Sequence, residues 1–172
     1  MPRIPLVADD PGGLLDATRR SLGRVPNLYA TLANGPQALA GYLAMRDALT
    51  EGVLSARVRE QLALLIAQEN ACTYCVSAHT LRGSKMGFSA DELVGTRKAS
   101  DADPHVAALL HLTRELVRTR GRVGDDALAE ARAAGVTDAE LAEVVAHIAL
   151  NTLSNYFNHL AEPELDFPEV AA

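Results

Sequence analysis

Three helix starts are written into this chain before any other element can be assigned. Ser89 with Glu92 and Thr137 with Glu140 form capping boxes, in which a hydroxyl takes the amide three residues on and the glutamate reaches back. Asp103-Pro104 is an N-cap followed by a proline whose missing N–H belongs where a helix has no use for it. Apolar periodicity predicts further helices at 12–22, 36–50, 56–69, 73–86 and 125–134, and one over 138–161, with Gly52, Gly87, Gly121 and Gly135 closing or separating them. Ala and Leu dominate, aromatic residues are only 4%, and β-branched runs of strand length are scarce, so the expected class is all-α. The phrases GFSADEL and GVTDAEL resemble each other, which a shared cap grammar explains as readily as a duplicated hairpin.

With 48% hydrophobic residues the chain can bury a sizeable core, and a single helical domain over 1–172 is expected. Prolines resist helix in an N-terminal arm, 1–10, and a C-terminal tail, 162–172. Such arms either lie across a neighbouring subunit or hang loose. The balance of 16 Lys plus Arg against 22 Asp plus Glu, a formal net charge of -6, without a basic block, argues against nucleic acid as a partner. No run approaches the ~20 apolar residues of a membrane span, and MPRIPLVADD has no apolar secretory core, so a cytoplasmic protein is expected.

Both cysteines lie in ENACTYCVSAH, residues 69–79. Their loop is too small to staple a domain, so a bond between them would be chemistry rather than scaffolding. On a continuous helix Cys72, Cys75 and His79 fall within an arc of about 60°. The preceding helix is expected to end near Asn70, in left-handed geometry, so that the cysteines open the next one. Unpaired amides there favour a thiolate and would depress a cysteine pKa toward neutrality, with His79, one turn beyond Cys75, able to take the proton. Glu60 is the acid best placed to hold His79. Three readings remain at this point: a redox centre, a zinc site made of two thiolates, an imidazole and a carboxylate, or ordinary packed and solvated helix residues.

The pattern Glu60, eleven residues, Cys72-Thr73-Tyr74-Cys75, three residues, His79 resembles the active-site signature of the alkylhydroperoxidase D-like branch of the carboxymuconolactone decarboxylase superfamily. RIPLV, LGRVPNLYATLANGP, LSARVRE and NYFNHLAEPELDFP are similar to its peroxidase-related members, so the likeness extends over most of the chain. The resemblance implies an all-α fold, homo-oligomers, commonly trimers or hexamers, with sites near subunit contacts, and a cofactor-free reaction. In it Cys75 attacks a peroxide, Cys72 resolves the sulfenic acid to a disulfide, and a dithiol reductant, lipoyl or thioredoxin-like, resets the pair. Glu60 and His79 match the family's proton relay. The best-known members carry a histidine where this chain has Tyr74, which cannot act as a base at neutral pH. Decarboxylase members lack the CxxC pair, which disfavours lactone decarboxylation.

The expected function is therefore a thiol-dependent hydroperoxide reductase in antioxidant defence. The alternatives are a dithiol–disulfide oxidoreductase or redox sensor, and a zinc-binding helical assembly module. His147, Asn151, Asn155 and Asn158 make a polar stripe on the last helix, a candidate channel wall or subunit seam, with Tyr74 a further candidate lining residue. His105 and His111 receive no role.

Overall fold

The computed structural model describes residues 2–7 and 13–172. Among them run nine α-helices and no strand: α1 (Leu14–Leu22), α2 (Asn27–Leu32), α3 (Pro36–Thr50), α4 (Ala56–Glu69), α5 (Thr73–Lys85), α6 (Ala90–Arg97), α7 (Pro104–Thr119), α8 (Asp125–Ala133) and α9 (Asp138–Ala161). Ser89 and Thr137 complete both halves of their capping boxes, and the Asp103 side chain accepts from the His105 amide. The expected start of α1 at position 12, and positions 1 and 8–10 of the N-terminal arm, lie outside the described residues. Helix α2 has no counterpart in the sequence reading. It is six residues long and has no side-chain cap, too short for a periodic pattern to show.

Helix α4 is enclosed from all sides: every residue from Glu60 to Ala67 is buried. Its Leu64 and Ala67 join a core shared with α2, α3, α5 and the middle of α9, whereas Leu62, Leu65 and Ile66 join a second core with α7, α8 and Val144. A helix apolar on both flanks belongs at the centre of its bundle. The loop entering α4 is clamped by α9, because Glu143 accepts from the amides of Val53 (2.7 Å) and Leu54 (3.1 Å). A Cβ at Gly52 would overlap the Glu143 carboxylate, so a larger residue there would have to displace it from these amides.

Within the described residues both terminal segments are bonded to the body of their own chain. Arg3 N donates to Ala161 O (2.8 Å), Asn34 Nδ2 to Pro5 O (2.7 Å) and Val7 N to Ala30 O (2.9 Å). At the other end Val170 N donates to Ser77 Oγ (2.8 Å) and Arg97 to Ala171 O (2.6 Å). Val7, Phe167 and Val170 pack on the first core, and that apolar burial folds both segments back onto their own chain. Among the described residues no helix is long and apolar enough to cross a membrane.

His105, given no role by the sequence, ties α7 to the α8–α9 junction. Its Nε2 meets Glu140 Oε1 at 2.8 Å and its Nδ1 meets Ala134 O at 3.1 Å. Both partners are acceptors, so the doubly protonated ring suits the site, and the Glu140 bond followed by the Ala134 carbonyl raises the His105 pKa above 6.5. A raised folded value means that this stabilisation is complete below pH 6.5 and lost as pH climbs through the folded pKa. The difference in melting temperature between the parent and His105→Gln is expected to shrink as pH rises from about 5.5 to about 8.5. A difference independent of pH would show that the imidazolium plays no part.

Candidate active site

The α4–α5 junction places the sulfurs. Asn70 is the C-cap of α4 as expected, but its backbone is not left-handed (φ -86); Ala71 carries that turn instead (φ 52). Asn70 is used differently, its Nδ2 donating to Asn155 Oδ1 (2.9 Å) while its carbonyl accepts from His159 Nε2 (2.8 Å), so α9 holds the corner. Cys72 is the N-cap of α5 with extended backbone, and its Sγ accepts from the Cys75 amide at 3.4 Å. The two cysteines therefore do open the helix. Cys72 sits off its end, however, so the single-face arc holds only for Cys75 and His79. Both thiols are free and buried.

Glu60 and His79 are brought together as the sequence suggested. Glu60 is 4% exposed and its Oε1 meets His79 Nδ1 at 2.8 Å. Its Oε2 meets Arg82 Nε at 3.1 Å, a partner the sequence reading did not single out, although i+3 from His79 puts it on the same face. Burial alone would raise the Glu60 pKa; the charge and hydrogen bond of His79, and then Arg82, outweigh it and hold the carboxylate below its ordinary range. His79 thus has one ring nitrogen fixed by a carboxylate and the other available for proton exchange.

The lowered thiol pKa expected at the start of α5 falls on Cys72 and not on Cys75. The Cys72 pKa is lowered to about 7, first because the Cys75 thiol donates to it and then, against burial, because the Cys75 amide does too. Cys75 is held above the ordinary thiol value by the adjoining Cys72 and by burial, although Asn158 Nδ2 donates to its Sγ at 3.1 Å. The helix N-terminus acts on the residue whose side chain folds back over the free amides, and that is the N-cap rather than a residue in the first turn. The pair shares its protons as one unit, with the first thiolate resting on Cys72.

The polar stripe of α9 divides. Asn151 Nδ2 is bound to His147 O of its own helix (2.8 Å), Asn155 holds Asn70 and lies beside the Cys75 sulfur, and Asn158 donates to that sulfur. His147 is buried, and burial followed by the charge of Arg59 lowers its pKa, so the ring is neutral. Among the described residues no three His, Cys, Asp or Glu side chains gather where they can hold a metal ion; Glu60 is engaged by His79 and Arg82 instead.

Tyr74 is a tether. Its hydroxyl donates to Asp166 Oδ1 (2.6 Å) and accepts from Leu28 N (3.1 Å), and its ring meets Phe167 edge-on at 5.3 Å. Arg24 lies over the other ring, 4.4 Å from the Phe167 centroid. Burial and the Asp166 bond push the phenol pKa far up, so it cannot serve as a base. The C-terminal tail is in this way buckled across α5. Tyr74→Phe removes a hydrogen bond to a charged group and leaves Leu28 N without its acceptor, which should cost about 2–3 kcal/mol in denaturant unfolding and speed proteolytic clipping of the tail. Unchanged stability with an unchanged clipping rate would refute the tether.

Comparisons with other proteins follow the same geometry. Residues 36–117, from α3 into α7 and including all four of Glu60, Cys72, Cys75 and His79, match the carboxymuconolactone decarboxylase family. A peroxidase-related protein from Ralstonia eutropha JMP134 with an alkylhydroperoxidase AhpD core superposes with a TM-score of 0.83 at 25% identity, over 96% of this chain and 92% of that one. A peroxidase-related protein from Silicibacter sp. TM1040 gives a TM-score of 0.82 at 18% identity, over 95% and 91%. The debrominase Bmp8 shares the fold at 13% identity, with a TM-score of 0.75 over 89% and 84%. No curated protein sequence matches the chain. The carboxymuconolactone decarboxylase family match is thus centred on the α4–α5 hairpin, and the chain shares the all-α alkylhydroperoxidase D-like fold along its length.

Proposed function

We propose that this protein is a thiol-dependent hydroperoxide reductase of antioxidant defence that works through the Cys72–Cys75 pair. One observation carries the reading: a buried carboxylate, Glu60, holds His79 at 2.8 Å one turn along α5 from Cys75, beside a second thiol at the helix cap. That is a nucleophile, a resolving thiol and an oriented proton carrier on one helical hairpin. The Cys75 thiolate, formed when the shared proton passes to Cys72 or His79, attacks the terminal peroxide oxygen. An S–O bond forms, the O–O bond breaks, sulfur loses two electrons, and the alkoxide leaves with a proton from His79. Cys72 then attacks the sulfenic acid, forming the disulfide and releasing water. A dithiol of lipoyl or thioredoxin-like class returns two electrons and two protons. The peroxidase-related character of the Ralstonia eutropha and Silicibacter proteins agrees with this role.

Both sulfurs are 4% exposed or less, which favours a small oxidant over a bulky protein disulfide. The second reading, dithiol–disulfide exchange, is favoured by the lowered pKa of Cys72, since an N-cap thiolate is the nucleophile such exchange needs. Free thiols suit a reducing compartment such as the cytoplasm. Leu153, Tyr156 and Leu160 are exposed together on α9 beside an apolar recess lined by Ile4, Leu32 and Phe157, a surface suited to contact with a second copy in a trimer or hexamer.

Stopped-flow oxidation of the reduced protein by an organic hydroperoxide should far outpace a free thiol, yield a Cys72–Cys75 bond by mass spectrometry, and accelerate as pH rises through about 7. Slow oxidation would transfer the assignment to dithiol exchange. Cys75→Ser should abolish oxidation, whereas Cys72→Ser should stop at a sulfenic acid that dimedone traps; equal turnover by both would sink the scheme. Glu60→Gln should lower the oxidation rate by roughly 100-fold, within the range of a lost acid–base contribution.

A further inference from the structure

Buried polar side-chain atoms without a hydrogen-bond partner are rare in folded proteins, and each calls for an explanation. Among the described residues four such atoms occur: Thr80 Oγ1, His147 Nε2, Asn155 Nδ2 and Asn158 Oδ1. Two of them flank Cys75. Asn155 and Asn158 are i,i+3 neighbours on α9, 0% and 5% exposed. The remaining atom of each amide is engaged, and that engagement decides which end is left over. Asn155 Oδ1 accepts from Asn70 (2.9 Å), leaving an NH2 donor, while Asn158 Nδ2 donates to Cys75 Sγ (3.1 Å), leaving a carbonyl acceptor. Asn155 faces the same sulfur and favours its thiolate, but its Nδ2 makes no bond of full geometry there.

One unclaimed acceptor and one unclaimed donor beside a nucleophilic sulfur match a particular small group. A hydroperoxide carries one O–H to donate and an adjoining oxygen to accept; a disulfide or an aryl halide has no such O–H. Resting on the peroxidase reading, we propose that Asn155 and Asn158 form an amide cradle for the –OOH group of the substrate. Asn158 Oδ1 accepts the terminal O–H and turns that oxygen toward Sγ. Asn155 Nδ2 donates to the second oxygen, where negative charge gathers as the O–O bond breaks. The thiolate gains the OH, the electron pair of the O–O bond departs on the alkoxide, and the new sulfenic O–H keeps its bond to Asn158 Oδ1.

The test compares two reagents on the same thiols. Rate constants are measured for cumene hydroperoxide and for iodoacetamide, which needs a thiolate but carries no peroxide, in the parent, Asn155→Asp and Asn155→Leu. Asn155→Asp keeps an oxygen to hold Asn70 while losing the unclaimed donor and adding a negative charge, whose effect on the thiolate the iodoacetamide rate reports; Asn155→Leu loses the donor without that charge. The peroxide-to-iodoacetamide ratio is expected to fall by roughly 100-fold in both variants, the scale of one lost oxyanion donor. A ratio unchanged in both, with the parent still oxidised rapidly, would mean that the amides hold buried water or serve packing, and would overturn the cradle. A fall in Asn155→Leu alone would overturn it too, by assigning the loss to the Asn70 contact. A parent that reacts with cumene hydroperoxide no faster, relative to iodoacetamide, than free cysteine does would defeat the peroxidase reading itself.

Discussion

A carboxylate buried in the most enclosed helix of the bundle is the constraint on which the rest of the site depends. Glu60 is 4% exposed on α4, between two apolar cores, and a charge in that position is tolerated only if it is paired. Helix α5 supplies both partners, His79 and Arg82, one for each oxygen. Satisfying them sets how α5 lies against α4, and with that the level of Cys75 in the core. The same pairing gives His79 a fixed ring orientation before any substrate arrives, so an interaction demanded by folding also prepares a proton carrier.

The two thiols are positioned by different means. Cys72 is fixed by the turn, as a cap on the amide of Cys75, while Cys75 is fixed by the helix and by Asn158 of α9. Their proton affinities diverge first because the Cys75 thiol donates to Cys72; the Cys75 amide then adds to the stabilisation of the Cys72 thiolate, and burial adds to the raised value of Cys75. The C-terminal tail completes the enclosure, anchored through Tyr74, Asp166 and Phe167 on one turn of α5 and Ser77 on the next. A tyrosine between the cysteines is thus part of the covering rather than of the proton chemistry. The fold alone does not choose among reactions, since the debrominase Bmp8 shares it.

What the sequence determined by itself were the elements and the chemical inventory. Capping boxes, Asp103-Pro104 and the apolar period are local, so the starts of α6, α7 and α9 and the spans of α3 and α4 can be read from neighbours a few residues apart. The spacing of Glu60, Cys72, Cys75 and His79 was likewise legible, because two adjoining helices carry all four. Tertiary structure decided everything that needed contacts across long separations. It moved the left-handed turn to Ala71, because α9 holds Asn70 from 85 residues away. It put the low-pKa thiol at the cap, recruited Asn158 to the second sulfur, and folded the C-terminal tail onto Tyr74. Local patterns record the energy of one helix at a time; burial and electrostatic pairing depend on which helices meet, and that is settled only when the whole core closes.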